Sequence, residues 1–391
     1  MTSVHEAARG VCLAPALFSL FTMNIPIRRI TRHVLLVACV VLSAACDPKP
    51  SSSDLSSAAP LKPGPVEHID ASERIEAAAL IPIVDPAQHS IRRFEAEIRG
   101  AFDERKFDVL EKIAAELRTS KALFEEGSWK LKVFYDALEE RFSRGQDFWL
   151  TDIQTYEAWE KAYPDSLARR IGLINLLTNY AWDARGAGYA RDVTEENHRI
   201  FQARLEQAAK VFAQTRDLKE KDPCCQLVAM NIALGQGWPK EHFERLVAEA
   251  AAIAPEFWHI HPMRCYSLLP RWYGKDGDWE AYAEDASNRG EWLGDETYAR
   301  MVMRMSSFHA NIFRDSKASW PKTRKGLDIL KAKYPASLEF PHQIARLATM
   351  GQDQALAKSA FDEIGDHFLE SVWRKPERLV HFRTWARTGQ W

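Results

Sequence analysis

Tyr163-Pro164-Asp165-Ser166-Leu167 recurs further along the chain as Tyr334-Pro335-Ala336-Ser337-Leu338. Proline ends the helix before it, because it cannot continue the helical hydrogen bonds, and the Asp or Ser that follows can cap the next helix. Ala254-Pro255-Glu256 is a looser third copy. A helix, a proline turn and a second helix form the joint of tetratricopeptide-type repeats, which run about 34 residues. The irregular spacing of the three copies predicts a degenerate array of helical hairpins.

Apolar residues recur at helical spacing on both sides of these joints, and Ser128 is a predicted N-cap. The stripes are Phe107, Leu110, Ile113, Ala114 and Leu117; Leu131, Phe134, Tyr135 and Leu138; Leu205, Ala208, Ala209 and Phe212; Phe243, Leu246, Val247 and Ala250; and Ala357, Phe361 and Ile364. Alternating β-branched runs are nearly missing, so we expect no sheet. Residues 67–391 are therefore predicted to be all-α, as an irregular tetratricopeptide-like α-solenoid whose stacked hairpins form a partner-binding surface. The alternative is an irregular helical domain without a usable groove.

The composition is that of a nearly neutral globular chain. Its 391 residues include 52 Lys and Arg against 54 Asp and Glu, and 46% of them are hydrophobic. This balance excludes a strongly basic nucleic-acid binder, so no nucleic-acid partner is expected. Six cysteines are too few for a disulfide scaffold of this length.

The N-terminal region has the anatomy of a bacterial secretory signal. Arg28, Arg29 and Arg32 precede an apolar run at 34–42, and small residues follow. The run is too short for a bilayer, which needs about 20 residues. Leu42-Ser43-Ala44-Ala45-Cys46 also resembles a bacterial lipobox, in which the cysteine thiol receives diacylglycerol and becomes the mature N-terminus. We expect residues 1–45 to be a signal peptide and Cys46 to be lipidated; cleaved secretion and an uncleaved anchor are the alternatives.

The residues around this signal refine the expectation. Met23 stands at a suitable distance before the arginines to be the initiator, so residues 1–22 are interpreted as an over-extended start. Asp47 resembles an inner-membrane retention signal. Residues 46–66 are rich in Ser, Pro and Ala, which predicts a flexible tether behind the lipidated cysteine. The expected location is the periplasmic face of the bacterial inner membrane, held by the lipid anchor.

Three cysteines remain after the lipidation residue: Cys224, Cys225 and Cys265. The periplasm permits disulfides, and a bridge between the two adjacent cysteines would strain the backbone. A disulfide between Cys225 and Cys265 is therefore the preferred pairing, with three buried free thiols as the alternative.

The usual signatures of enzymes and metal proteins are missing from the sequence. His259 and His261 are two apart, which points them to different faces of a helix, and Lys275-Asp276-Gly277-Asp278 lacks the later glutamate of a calcium loop. There is no nucleophile elbow, phosphate loop or dinucleotide fingerprint. We expect no metal, no cofactor and no catalytic residue, and an enzyme remains the least favoured class.

Two loop segments, 181–189 and 267–279, place Arg and Trp beside glycine between helices. Arg and Trp are common in binding hot spots, and loops carry function more often than helices do. The structural alternative is that the arginines satisfy carbonyls or nearby acids while the indoles fill gaps between hairpins. The candidate binding residues are Trp182, Arg185, Trp258, Arg271, Trp272 and Trp279.

These segments, together with Gly127-Ser128-Trp129 and the helix from Trp159 to Tyr163-Pro164, resemble the bacterial domain-of-unknown-function family DUF 4034. Its members share a Gly-Ser-Trp near the start, a Trp-Asp/Ala-Arg-Gly-x-Gly block and a Leu-Leu-Pro-Arg-Trp-x-Gly block. The resemblance covers residues 100–300 approximately and leaves C-terminal hairpins at 301–391. It implies a helical, tetratricopeptide-like domain and no established activity.

The sequence thus predicts a lipid-anchored periplasmic scaffold that contacts the membrane through its lipid and binds a protein partner. The second hypothesis is a module that binds a small or glycan-like ligand through the Arg and Trp loops. That hypothesis requires the six candidate side chains to meet around one solvent-reachable pocket.

Overall fold

A computed structural model describes residues 71–139, 146–186 and 193–391. The predicted signal peptide, Cys46 and the tether lie outside the described residues. The described part is all-α, as predicted, and forms an array of helical hairpins. None of its helices is long and apolar enough to cross a membrane.

The first helices lead into the array. They are α1 (Ala71–Ala79), α2 (Pro86–Asp103), α3 (Phe107–Ser120), α4 (Lys130–Ala137) and α5 (Gln146–Ala162). The next helices form successive hairpins: α6 (Leu167–Arg185), α7 (Glu195–Ala213), α8 (Pro223–Gln236), α9 (Lys240–Ile253), α10 (Ile260–Ser267) and α11 (Asp278–Asn288). The C-terminal helices are α12 (Asp295–Met305), α13 (Ile312–Asp315), α14 (Trp320–Lys333), α15 (Glu339–Met350), α16 (Gln354–Ile364), α17 (Glu370–Trp373) and α18 (Pro376–Thr388).

The hairpins have two layers. The first layer is formed by α6, α8, α10 and α12, each of which packs against the next. Their partners α7, α9, α11 and α14 lie in the second layer. First-layer helices are buried on most faces, as α6 shows, whereas α7 and α9 bury one stripe. This difference follows from position, because a helix flanked by two neighbours and a hairpin partner has little surface left for water.

The proline joints end and begin helices where the sequence predicts them. After Pro164, the Ser166 hydroxyl accepts a hydrogen bond from Arg169 N at 2.9 Å and caps α6. The second joint begins α15, where the Asp85 carboxylate joins Ser337 in accepting backbone N–H groups. The third ends α9 at Ile253.

The predicted stripes are buried, with Ile113 and Ala209 half-buried at their edges. One predicted cap is wrong by one residue. Trp129, not Ser128, holds the N-cap position of α4, and its side chain makes no capping hydrogen bond. The reason is that the backbone of this segment is engaged elsewhere: Trp129 N donates to His259 Nε2 at 3.1 Å.

The expectation of no sheet is also corrected. Two three-residue strands, β1 (Ile81–Ile83) and β2 (His367–Leu369), pair in parallel. Such short strands show no alternation in sequence, and their partners are far apart in the chain. Next to them α1 packs against α18, and Glu76 pairs with Arg383 at 2.6 Å. The first and last described elements are therefore joined.

Candidate ligand-binding sites

Four aromatic rings form a continuous row that begins in α6, passes through α10 and the turn after it, and ends just after α12. Trp182 of α6 meets Trp272 edge to face at 5.9 Å between ring centroids, and Trp272 meets Tyr266 of α10 at 5.6 Å. Tyr266 in turn lies 5.2 Å from Phe308, in the short 3-10 helix Ser306–Phe308 after α12. We call these four residues the aromatic row.

Arginines lie over the rings at both ends of the aromatic row. The Arg185 guanidinium is 5.5 Å from the Trp182 ring. At the other end, Arg271 and Arg304 both lie 5.3 Å from the Phe308 ring. A guanidinium over a ring is attracted by the ring quadrupole, so each contact stabilises the charge and fixes the ring.

The row unites only part of the predicted site. It brings together Trp182, Arg185 and Trp272, which are all buried, and places half-buried Arg271 at its far end. The Trp272 Nε1 donor is buried and has no hydrogen-bond partner among the described residues. These side chains therefore form a packed seam between hairpins.

Trp258 lies outside the aromatic row and contacts the Gly127 segment. Its Nε1 donates to the Gly127 carbonyl at 3.0 Å, and its ring lies 3.7 Å from the His259 ring. Burial lowers the pKa of His259 well below its usual value, which keeps the ring neutral and able to accept the Trp129 N–H. Gly127 has φ +86°, which favours glycine, and a Cβ there would collide with Tyr334. The Gly127-Ser128-Trp129 motif is thus held by the turn that precedes α10.

Trp279 is buried separately at the start of α11. Its ring lies 6.0 Å from the His309 ring, and its carbonyl accepts a weak hydrogen bond from Cys265 Sγ at 3.9 Å. With Trp258 and Trp279 in separate places, the six candidate residues do not surround one pocket.

A groove of about 490 Å³ opens between α6, α7, α8 and α9. Its floor is apolar and consists of the buried residues Leu167, Phe212 and Cys225, and half-buried Ile253 and exposed Ala252 complete the apolar lining. Its rim carries three cations and three carboxylates: Arg216, Lys221, Arg245, Glu220, Asp222 and Glu249. We call it the α7–α9 groove. None of the six predicted residues lines it, because its apolar lining residues belong to four helices and no motif in the sequence connects them.

Some of the charged side chains that line the groove already have polar or ionic partners within the protein, and others do not. Asp222 is buried and accepts hydrogen bonds from the Tyr135 hydroxyl at 2.7 Å and Cys224 N at 2.9 Å; burial raises the pKa of Asp222. Glu220 pairs with Arg118 at 2.8 Å. Exposed Arg245 has no ion-pair partner among the described residues. The rim therefore offers at least one cation to a bound segment.

The predicted disulfide is not formed. Cys224, Cys225 and Cys265 are free, buried thiols. Cys225 Sγ lies 3.3 Å from the Thr215 hydroxyl, whereas Cys265 faces the Trp279 carbonyl, so each thiol has its own polar neighbour. Burial raises the pKa of Cys225 to about 12, which keeps this thiol protonated at the floor of the groove.

A buried polar cluster lies where the Gly127 segment meets α12 and α15. Arg300 Nε donates to Glu296 at 3.2 Å, and Arg300 Nη2 approaches the Glu126 carbonyl at 3.4 Å. Burial raises the pKa of both Glu126 and Glu339. No motif in the sequence marks this cluster, because its members are single polar residues on separate elements.

The part of the chain that the structure describes contains no group of three or more side chains placed to hold a metal ion. No family model, no curated protein and no solved structure matches this chain. The resemblance to DUF 4034 therefore stays a prediction.

Proposed function

We propose that this protein is a lipid-anchored interaction scaffold on the periplasmic face of a bacterial membrane, and that it binds a segment of a partner protein in the α7–α9 groove. The signal pattern, the lipobox-like Cys46 and the tether support the anchor. The hairpin array supports the scaffold, because stacked hairpins present grooves between adjacent second-layer helices.

The groove is the single observation that carries the binding role. Its volume of about 490 Å³ is in the range of pockets that bind small molecules or a few side chains. It is too small for a whole folded partner. The apolar floor would bury one or two apolar side chains of a short segment, and that burial would supply most of the affinity.

The rim would select the segment by charge. Arg245 and Glu249 lie one turn apart on α9, and Lys221 lines the groove just before α8, so the partner meets both signs of charge. A segment with an apolar residue next to an acidic one satisfies the floor and Arg245 together. Charges at the rim change association rate and specificity more than affinity.

A photocrosslinking experiment tests this proposal in intact membranes. A photoreactive amino acid replaces exposed Glu249 at the rim, which leaves Arg245 in place, and a control carries it at exposed Lys358 on α16. We expect a discrete protein adduct from the rim position alone. The adduct should disappear when Ala252→Trp fills the groove, since Ala252 is an exposed lining residue whose enlargement leaves the core intact. Equal adducts at both positions, or an adduct that survives Ala252→Trp, would contradict the proposal.

The second hypothesis, a small or glycan-like ligand held by all six candidate residues, does not meet its requirement of one shared pocket, because Trp258 and Trp279 lie apart from the aromatic row. A narrower form, in which the ligand binds at the Arg271 end of the aromatic row, is favoured by one observation. Arg271 is half-buried at the open end of the aromatic row, and the Trp272 indole N–H lacks a partner among the described residues. A ligand there would stack on Phe308 beside Arg271. Saturable binding of a cell-wall glycan fragment that Arg271→Ala abolishes would support this hypothesis over the scaffold.

A further inference from the structure

Four buried arginines in the described part of this chain are each accompanied by a carboxylate. The ion pairs are Arg169 with Glu160 at 3.0 Å, Arg264 with Glu244 at 3.8 Å, Arg300 with Glu296 at 3.2 Å, and Arg383 with Glu76 at 2.6 Å. This pairing is expected, because a guanidinium removed from water loses hydration that only an anion and hydrogen bonds can replace.

Arg346 on α15 departs from this pattern. It is only 6% exposed, yet no carboxylate of the described residues lies within 4.0 Å of its guanidinium. Its Nε and Nη2 donate to the Gln343 side-chain oxygen at 3.2 and 2.9 Å, and Nη2 also donates to the Ser306 hydroxyl at 2.7 Å. All these partners are neutral. The two N–H groups of Nη1 have no acceptor in the described part of the chain.

The surroundings of Arg346 add positive charge. The turn between α17 and α18 carries Arg374 and Lys375, and Arg378 lies in the first turn of α18. The preceding Trp373 donates to His342 Nδ1 at 3.0 Å. His342 is one turn before Arg346 on α15, so this hydrogen bond fixes the basic turn against the same helix. Arg374 has φ +66°, a strained conformation for a residue other than glycine.

The electrostatics agree with this geometry. Burial, together with the charges of Arg378 and Arg374, lowers the pKa of Arg346 to about 9, while Glu339 acts in the opposite direction. Glu339 contacts Gln343 at 3.0 Å and reaches the guanidinium only through that amide. The burial of Arg346 and its basic neighbours therefore disfavour the charged form of its guanidinium.

We infer that Arg346 forms the base of a binding site for a small oxyanion, a carboxylate or a phosphate, which Nη1 contacts while Arg374 and Arg378 contribute charge from the rim. Both anions present paired oxygens to a guanidinium, and such charge-assisted hydrogen bonds are about twice as strong as neutral ones. The site lies on α15 and is independent of the α7–α9 groove, so it goes beyond the proposed scaffold function.

Isothermal titration calorimetry of the full-length protein in detergent tests the inference. Sodium phosphate and sodium citrate are titrated separately at constant ionic strength, with sodium chloride as the reference. We expect saturable binding of one or both, which identifies the anion. Arg346→Gln should abolish it, and Arg374→Gln should weaken it about tenfold, the equivalent of one charge-assisted hydrogen bond.

Arg314→Gln is the matched control. Arg314 is an exposed arginine paired with Asp315, and its loss should leave the titration unchanged. Arg374 is also exposed, so its variant reports on the site even where Arg346→Gln fails to fold. The inference is overturned when neither anion binds saturably, or when Arg374→Gln and a folded Arg346→Gln bind like the wild type. Arg346 would then be a structural residue satisfied by Gln343 and Ser306.

Discussion

Asp85 and Glu339 are 254 positions apart in the chain, yet the Asp85 carboxylate accepts the Glu339 backbone N–H at 3.0 Å. The same carboxylate accepts Leu338 N at 2.9 Å through Oδ2 and caps α2 by accepting Ala87 N at 2.9 Å through Oδ1. One buried side chain thus begins two helices that lie at opposite ends of the sequence. It holds the N-terminal helices against the C-terminal hairpins.

Asp85→Ala is therefore expected to cost about 2–3 kcal/mol in free energy of unfolding, because a single N-cap contributes about 1 kcal/mol and this residue supplies two. The control is Thr194→Ala, which removes one exposed cap from α7. It should cost about 1 kcal/mol. Urea denaturation followed by circular dichroism measures both. Equal losses for the two variants would show that the second cap contributes nothing.

Two helical glycines give opposite predictions for the same substitution. A Cβ on Gly326 of α14 would overlap the Asp295 backbone carbonyl of α12, whereas a Cβ on Gly100 of α2 meets nothing within 4 Å. Gly326→Ala should destabilise the protein by about 1–3 kcal/mol through overpacking. Gly100→Ala should stabilise it by up to about 1 kcal/mol through helix propensity. Thermal unfolding of the pair decides: a stabilising Gly326→Ala would mean that the two hairpin helices are further apart than described.

Glu126 makes stability depend on pH. Burial raises its pKa, so the folded protein binds this proton more readily than the unfolded chain does. The resulting stabilisation is complete below the ordinary glutamate pKa of about 4.3 and is lost as the pH rises through the raised value. Glu126→Gln should therefore become increasingly stable relative to the wild type from about pH 4.3 upward.

Urea midpoints measured between pH 4 and pH 8 check this prediction. Glu125→Gln is the neighbouring control, since Glu125 is exposed and its carboxylate accepts only the Ser90 hydroxyl, at 3.3 Å. Its midpoint should run parallel to that of the wild type over the whole range. If the midpoints of Glu126→Gln also run parallel to those of the wild type, ionisation of Glu126 costs the folded protein no stability.

The three thiols should be reduced and slow to react. Their burial predicts little alkylation of the native protein at pH 8, because the raised pKa of each thiol leaves almost no thiolate. Alkylation in denaturant without reductant should then label Cys224, Cys225 and Cys265 completely, as peptide mass spectrometry would record. Detection of a peptide pair linked through Cys225 and Cys265 would contradict this prediction and support the disulfide expected from the sequence.

The helices could be predicted from sequence because their signals are local. The members of the stripe Phe243, Leu246, Val247 and Ala250 lie within one short segment, so periodicity alone locates their helix. The cap at Ser166 directly follows the proline turn, which locates the start of α6. Asp85 shows the limit of this reasoning. Its sequence context indicates one cap, and its second partner is known only when the ends of the chain are seen together.

The candidate sites were less accessible to sequence reasoning for the same reason. The sequence predicts Trp182 and Trp272 in loops, whereas Trp182 lies in the last turns of α6. The two rings do meet, but nothing in the sequence distinguishes their buried seam from an open pocket. The groove between α7 and α9 is a space between helices, so no motif marks it. Arg346 looks like any other helical arginine in the sequence. Its lack of a carboxylate partner among the described residues becomes visible only when its neighbours in the fold are known.

The proposed role at the membrane depends most on the lipid anchor at Cys46. Mass spectrometry of the N-terminal peptide from membrane-extracted protein measures it directly. We predict a mature chain that begins at Cys46 and carries diacylglycerol on its thiol, and a Cys46→Ser variant that is no longer processed or lipidated. An unmodified Cys46 in protein recovered from the cytosol would contradict the account.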